Sequence, residues 1–347
     1  MTISTPFTRQ LGIRVPIVQG GMMWVGRPKL VAAVSNAGGL GILTGLTQPT
    51  PDDLRTAIAE VRKLTDKPFG VNLTFLPAIN PPPYMEYARA IIESKVKIVE
   101  TAGSQEAFPV IQEFKKHGIY VIHKCTSIRH AISAGKKGAD CISMDGLECA
   151  GHPGEDDIGG LVLLARAAQE LKIPYIASGG FATGRGLVAA LALGAQGINC
   201  GTLFMATEES EIHDNVKAAI IKADERQTIH IFRTLHNTAR VHANGIAKRV
   251  AQIEKDKAKE GGAKFSDVQD LVAGAKGRKV FENGDMEAGI WTAGPAQGLI
   301  KEVLSCEELL KRIEREAEEV IKGLGGAVGG GVKIGEGGIG GRRESHL

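Results

Sequence analysis

The chain has 347 residues, 43% hydrophobic and 23% charged, a composition that suits a globular protein with one extended core or two ordinary domains. Its net charge of +3 is too small to direct it to nucleic acid or a membrane surface, and no apolar run approaches the about 20 residues that span a bilayer. Five cysteines, an odd count without the C-x-x-C spacing of a zinc site, suit reduced thiols, and Met1 to Arg9 lacks the charged-then-apolar layout of a secretion signal, so a cytoplasmic location is expected.

From the N-terminus, short apolar runs alternate with helical patterns. Strands are expected at Ile17–Gln19, Leu40–Thr44, Phe69–Asn72, Ile98–Glu100, Tyr120–His123, Cys141–Met144, Tyr175–Ser178 and Gly197–Cys200. Helices are expected between them at Arg27–Asn36, Asp52–Leu64, Tyr84–Glu93, Gln105–His117, Ile128–Gly135, Leu161–Leu171 and Gly184–Leu193, several followed by the Gly or Asn that closes a helix. Eight strands, each followed by a crossover, predict an α/β fold of the (β/α)8 TIM-barrel type. A doubly wound sheet would carry Gly-x-Gly-x-x-Gly after its first strand, where this chain has Gly20-Gly21-Met22-Met23-Trp24. From 207 to 288 charged helical stretches (215–224, 250–259, 268–275) replace the alternation and predict a helical subdomain over the barrel mouth. Residues 1–206 with 289–324 then make the barrel domain, ending in an amphipathic helix over 304–324. The Gly-rich stretch 325–347 is expected to be a disordered tail.

The stretch from Cys141 to Gly160 is the most informative. A buried strand stops at Asp145-Gly146 and enters a loop bearing His152 between Gly151, Pro153 and Gly154, where small neighbours let the imidazole project toward a ligand. A satisfied loop histidine is the competing reading. The acids Glu155, Asp156 and Asp157 that follow suit the start of the next helix. In the seventh and eighth strand loops, Ser178, Gly179, Gly180, Gly201 and Thr202 form the glycine turns that bind phosphate in this fold, unless they serve only to make tight turns. After strand one, Met22, Met23 and Trp24 could lie along an aromatic ring system or simply be core. Asn72 and Thr74 end strand three. Lys124 ends strand five, where a lysine is too costly to bury unpaired; it could hold an anionic flavin edge, form a Schiff base or pair with Asp145. Gln297 could return to the site from beyond the helical region. The Pro-rich 76–84 loop is either a stiff lid or a surface connection.

Together, Gln19-Gly-Gly-Met-Met-Trp-Val-Gly-Arg27, Gly70-Val-Asn-Leu-Thr74, His123-Lys-Cys-Thr126, the run from Asp145 to Asp157 and Ala177-Ser-Gly-Gly-Phe-Ala-Thr-Gly-Arg-Gly186 resemble the nitronate monooxygenase (2-nitropropane dioxygenase) superfamily of FMN-dependent TIM barrels. The Cys149-Ala-Gly-His152 sequence is most similar to its bacterial NADH:quinone reductase branch, from which Met23 departs where glutamine is common. The resemblance implies FMN held by Gly21, Met22, Met23, Thr74, Lys124, Asp145, Ala150, Ser178, Gly180, Gly201 and Thr202, with Asn72, Gly151, Gly179 and Gln297 completing the candidate set. It also implies that His152, the candidate catalytic residue, lies near the reactive flavin face. The expected activity is hydride transfer from NADH as co-substrate to FMN, then two electrons to a quinone. A nitronate monooxygenase using oxygen, an FMN-dependent enoyl reductase and, from another class, a non-redox phosphosugar isomerase or aldolase are the alternatives. Small molecules are the expected partners, and a homodimer is compatible with the sequence.

Overall fold

Local signals set the elements before any tertiary contact does. The computed structural model describes residues 3–75, 81–103 and 105–327. Helix α1 (Pro6–Leu11) is opened by a reciprocal cap between Thr5 and Thr8. Strand β1 (Ile17–Gln19), α2 (Pro28–Asn36), β2 (Leu40–Thr44) and α3 (Pro51–Leu64) follow. Thr50 caps α3 through the Asp53 amide, with Pro51, Asp52 and Asp53 in its first turn and Arg62 and Lys63 in its last. Next come β3 (Phe69–Phe75), α4 (Tyr84–Glu93), β4 (Ile98–Gly103), α5 (Ala107–Lys116), β5 (Tyr120–Cys125) and α6 (Ile128–Lys136). The barrel is completed by β6 (Cys141–Asp145), α7 (Gly160–Glu170), β7 (Tyr175–Ser178), α8 (Gly184–Ala192) and β8 (Ile198–Cys200).

The eight strands are parallel and close in order, with β1 pairing both β2 and β8. This is the (β/α)8 barrel that the alternation predicts. Strands β3, β4 and β5 run two to three residues beyond their expected ends, because the polar Thr74 and Lys124 continue the ladder after the apolar run stops.

The barrel interior divides by polarity. At the N-terminal end Val18, Leu40, Ile42, Ile98, Ile122 and Ile176 pack with Phe7 and Leu11 of α1, which plugs the bottom. Toward the C-terminal end, register sets polar side chains beside one another, because in-register neighbours of a sheet face the same side. Asn72 pairs with Glu100, Lys124 with Ser143, Asp145 with Ser178, and Ser178 with Asn199.

Beyond β8 lie α9 (Thr202–Met205), α10 (Asp214–Lys222), β9 (Thr228–Ile231), β10 (Ala239–His242), α11 (Gly245–Lys257), α12 (Phe265–Val272), α13 (Gly274–Asn283) and α14 (Cys306–Ala327). The segment 207–288 is therefore not purely helical: β9 and β10 form an antiparallel hairpin. Their β-branched and apolar positions pack Ile231 and Val241 against Val250 and Val268. Helix α14 returns to the barrel against α8 and α2, with Glu316 accepting from the Gly184 amide at 2.8 Å. It runs three residues past the expected end at 324. The remainder of the Gly-rich stretch, 328–347, and residues 76–80 of the Pro-rich loop lie outside the described residues.

Candidate active site

The polar upper layer of the barrel is organised by Glu100, which is fully buried. Its carboxylate accepts from the Gly21 amide at 3.0 Å, from Asn72 Nδ2 at 2.8 Å and from Asn199 Nδ2 at 3.0 Å. Three donors satisfy a charge that burial would otherwise make costly. The hub holds the backbone after β1 against β3: a Cβ on Gly21 would lie 2.3 Å from Asn72 Cγ, so only glycine allows this approach.

Beside this hub Lys124 and Asp145 face each other, Nζ to Oδ2 3.5 Å, with Asp145 almost sealed. Burial works against the ammonium, but Asp145 and then Glu100 outweigh it and hold Lys124 protonated above its ordinary range. Burial likewise pushes the Asp145 carboxyl up, with Lys124 pulling it back. Ser143 donates to Asp145 Oδ1 at 3.2 Å. The result is a half-buried cation on the wall of a cavity.

His152 is oriented by the hairpin. The backbones of Gly151 and Arg240 exchange hydrogen bonds, N to O 3.0 and 2.6 Å, so the His loop adds to the edge of β10. Nδ1 of His152 donates to the Thr238 carbonyl at 3.1 Å, which leaves Nε2 as an acceptor. Burial pulls the imidazole below its ordinary value. The ring is therefore neutral at pH 7 and offers a lone pair.

The acids after His152 do not start α7, whose first turn contains none. Glu155 instead accepts from the Thr238 amide at 2.7 Å and its hydroxyl at 2.5 Å, and Asp157 pairs with Arg233 at 2.8 Å. They secure the loop to the hairpin. The start of α7 is served by Glu148, which accepts from the Gly160 amide at 2.9 Å.

The turns after β7 and β8 wall a cavity of about 470 Å³. Gly179 and Gly180 sit at φ +89° and +86°, and a Cβ on Gly179 would lie 2.7 Å from the Cys149 nitrogen. Their amides donate to no protein acceptor among the described residues and stand at the cavity wall, as an anion cradle requires. At the other end stand Asn72, Thr74 and Lys124, and along one side Met22 and Met23 supply polarizable surface. An anion cradle, a cationic polar edge and apolar surface between them match the phosphate, ring edge and ring face of FMN. The residues present fit that group.

Of the candidate residues, Gly21, Met22, Met23, Asn72, Thr74, Lys124, Ala150, Gly151, His152, Ser178, Gly179, Gly180, Gly201 and Thr202 all line this cavity. Asp145 lies behind Lys124 and faces an adjoining chamber. Two candidates are turned away. Gln297 is fully buried, with its amide spent on His242 Nδ1 and the Asp224 carbonyl, each at 3.2 Å, so it braces the subdomain and does not reach the cavity. Trp24 leaves the cavity on a left-handed backbone, φ +68°, and its ring carries the Arg278 guanidinium at 5.0 Å. Sequence reasoning missed Glu100, Asn199 and Glu148. A glutamate inside the apolar run Ile98-Val99-Glu100-Thr101 was the available signal. Cys149 also lines the cavity, and burial pushes its thiol up, which keeps it protonated and poorly nucleophilic.

Comparison with known proteins agrees with this geometry. The sequence pattern of the nitronate monooxygenase family matches residues 4–316. A dehydrogenase of Rhodococcus jostii (strain RHA1) named for a (3aS,4S,5R,7aS)-5-hydroxy-7a-methyl-1-oxo-octahydro-1H-indene-4-carboxyl-CoA substrate is 32% identical over 93% of this chain and 98% of its own. A nitronate monooxygenase of Paraburkholderia phytofirmans is 31% identical over 90% of this chain and 95% of its own. The structure of FabK from Thermotoga maritima superposes with a TM-score of 0.86 at 36% identity, covering 94% of this chain and all of that one. The chain belongs to the nitronate monooxygenase family and is an FMN-dependent oxidoreductase.

Proposed function

We propose that the protein is an NAD(P)H:quinone reductase, taking reducing equivalents from NADH and passing two electrons to a quinone. The observation that carries this reading is the tautomer of His152. With Nδ1–H spent on Thr238, Nε2 presents a lone pair to the cavity, and the Lys124 charge is already partnered by Asp145. A nitronate anion brings only acceptor oxygens to that lone pair. The carboxamide NH₂ of a nicotinamide brings donors and is complementary to it. FMN, when bound, supplies the two-electron exchange itself. The chain's own residues would bind and orient: Gly179 and Gly180 would hold the anionic tail, Lys124 would offer positive charge to the ring, and His152 would orient the reductant. Leu46, Phe181, Phe232 and Ile290 around the cavity exclude water and offer a flat apolar surface to a quinone ring. A dehydrogenase among the relatives supports exchange with an organic partner.

A cytoplasmic setting belongs to the same reading. All five cysteines are free and buried, which suits a reducing compartment. No helix among the described residues is long and apolar enough to cross a membrane.

One observation favours a second reading, a nitronate monooxygenase: the same Nε2 lone pair is placed to take the α-proton of a neutral nitroalkane. Anaerobic mixing of the purified flavoprotein with NADH separates the two. Bleaching of the flavin followed by reoxidation with benzoquinone supports the reductase. A flavin left oxidised by NADH and NADPH, with turnover of nitroalkane in air, moves the assignment to the monooxygenase.

A further inference from the structure

Two chambers share Gly21, Asn72, Thr74, Lys124, Ala150 and His152, and the glycine turns after β7 and β8 belong to only one of them. The second, about 690 Å³, runs outward between the ends of β4 and β5, the His loop and residues 236–238. Its inner wall carries His123, only 3% exposed. Nδ1 of His123 pairs with Thr101 Oγ1 at 2.8 Å, while Nε2 has no protein partner among the described residues and opens on the chamber. A ring nitrogen that a buried histidine presents to a chamber can take a ligand or water there. At the outer rim stand Arg129 and His130. Among the described residues the only polar side-chain contact of Arg129 is its donation to His130 Nε2 at 3.3 Å, and no carboxylate among them pairs with it. Past Arg129 the chamber continues into a groove of about 530 Å³ between α6 and α7, floored by Ile128 and Ile132 and flanked by Lys136, a second cation without an acid partner among the described residues. Nearby acids are mostly engaged: Asp145 by Lys124, Glu155 by Thr238, Glu170 by Arg166 at 3.0 Å. Among the described residues Asp156 alone faces the chamber unengaged, on the side of the His loop.

We propose that this chamber and groove form the docking site of the nicotinamide dinucleotide, its diphosphate at Arg129 and His130, its adenine over Ile128 and Ile132, and its nicotinamide reaching His152. The proposal rests on the reductase reading. It matches the ligand part by part: the acceptor nitrogen of His152 for the carboxamide, a guanidinium free to grip phosphate, and an apolar floor for the flat base. A quinone carries no charge and matches the apolar mouth of the flavin cavity instead.

The test uses the purified holoenzyme, ADP as a probe, and the variants R129A and R129E, both at an exposed position outside the flavin cavity. ADP should bind the wild type and compete with NADH in anaerobic flavin reduction. R129E should raise the dissociation constants of NADH and ADP about tenfold or more, with R129A intermediate. Flavin content, limiting reduction rate and reoxidation by benzoquinone should not change. Failure of ADP to bind the wild type, or unchanged dissociation constants in R129E, overturns the site. A flavin left oxidised by NADH and NADPH overturns the reductase reading instead; Arg129-dependent binding of ADP would still support the site.

Discussion

The imidazole of His152 donates from Nδ1 to the carbonyl of Thr238, 86 residues away along the chain, at 3.1 Å. Through this bond the hairpin inserted after the barrel decides which nitrogen of the candidate catalytic residue faces the cavity. Glu155, from the His loop, holds the same Thr238 by its amide and hydroxyl.

His152→Ala should keep FMN bound, because most of the candidate flavin-binding residues, Gly179, Gly180 and Lys124 among them, lie outside the His loop, and should slow NADH-dependent turnover by about 10²-fold. Flavin absorbance after gel filtration and steady-state rates check this. Loss of flavin together with activity would make His152 structural.

Lys124→Ala leaves the Asp145 carboxyl buried without its cation, at a cost of about 3 kcal/mol or more, and removes positive charge from the ring edge. A lower melting temperature and a weakened FMN dissociation constant are expected. Equilibrium dialysis against free FMN reads the second effect, and an unchanged value would remove Lys124 from the cofactor site.

Glu100→Gln keeps the shape of the hub but puts an NH₂ group among the Gly21, Asn72 and Asn199 donors. At least one donor must lose its acceptor, costing about 1–3 kcal/mol. Thermal unfolding of the apoprotein should show it. An unchanged melting temperature would mean that the hub is dispensable.

Gly179→Ala would place a Cβ against the Cys149 nitrogen on a backbone at φ +89°. The turn must move, so FMN retention should fall more than stability, by about tenfold or more against about 1–2 kcal/mol. FMN affinity equal to the wild type would show that this turn does not cradle the phosphate.

Burial, with some help from His130, pushes the His123 imidazole from an ordinary 6.5 down to about 4. Above pH 6.5 neither folded nor unfolded chain carries the proton and the contribution to stability is complete. As pH falls from 6.5 toward 4 the unfolded chain takes up a proton that the fold refuses, and stability declines by on the order of 3 kcal/mol. Melting temperatures at pH 7.5 and 4.5 should therefore converge in His123→Gln relative to the wild type; an equal drop in both proteins would place the acid sensitivity elsewhere.

The sequence by itself determined the barrel, because short apolar runs, capped amphipathic helices and closing glycines are local features that report burial directly. It also pointed to the His loop and the glycine turns after the seventh and eighth strands, where residue type alone restricts what the backbone can do. Tertiary structure decided the rest. Glu100 looks like a flaw in an apolar strand until register brings Asn72 and Asn199 to it. Glu155 and Asp157 look like the start of a helix until the hairpin offers Thr238 and Arg233. Gln297 looks available until His242 and the Asp224 carbonyl take both ends of its amide. In each case a polar group had to be satisfied on burial, and its partner lay far along the chain, where local pattern carries no information about who meets whom.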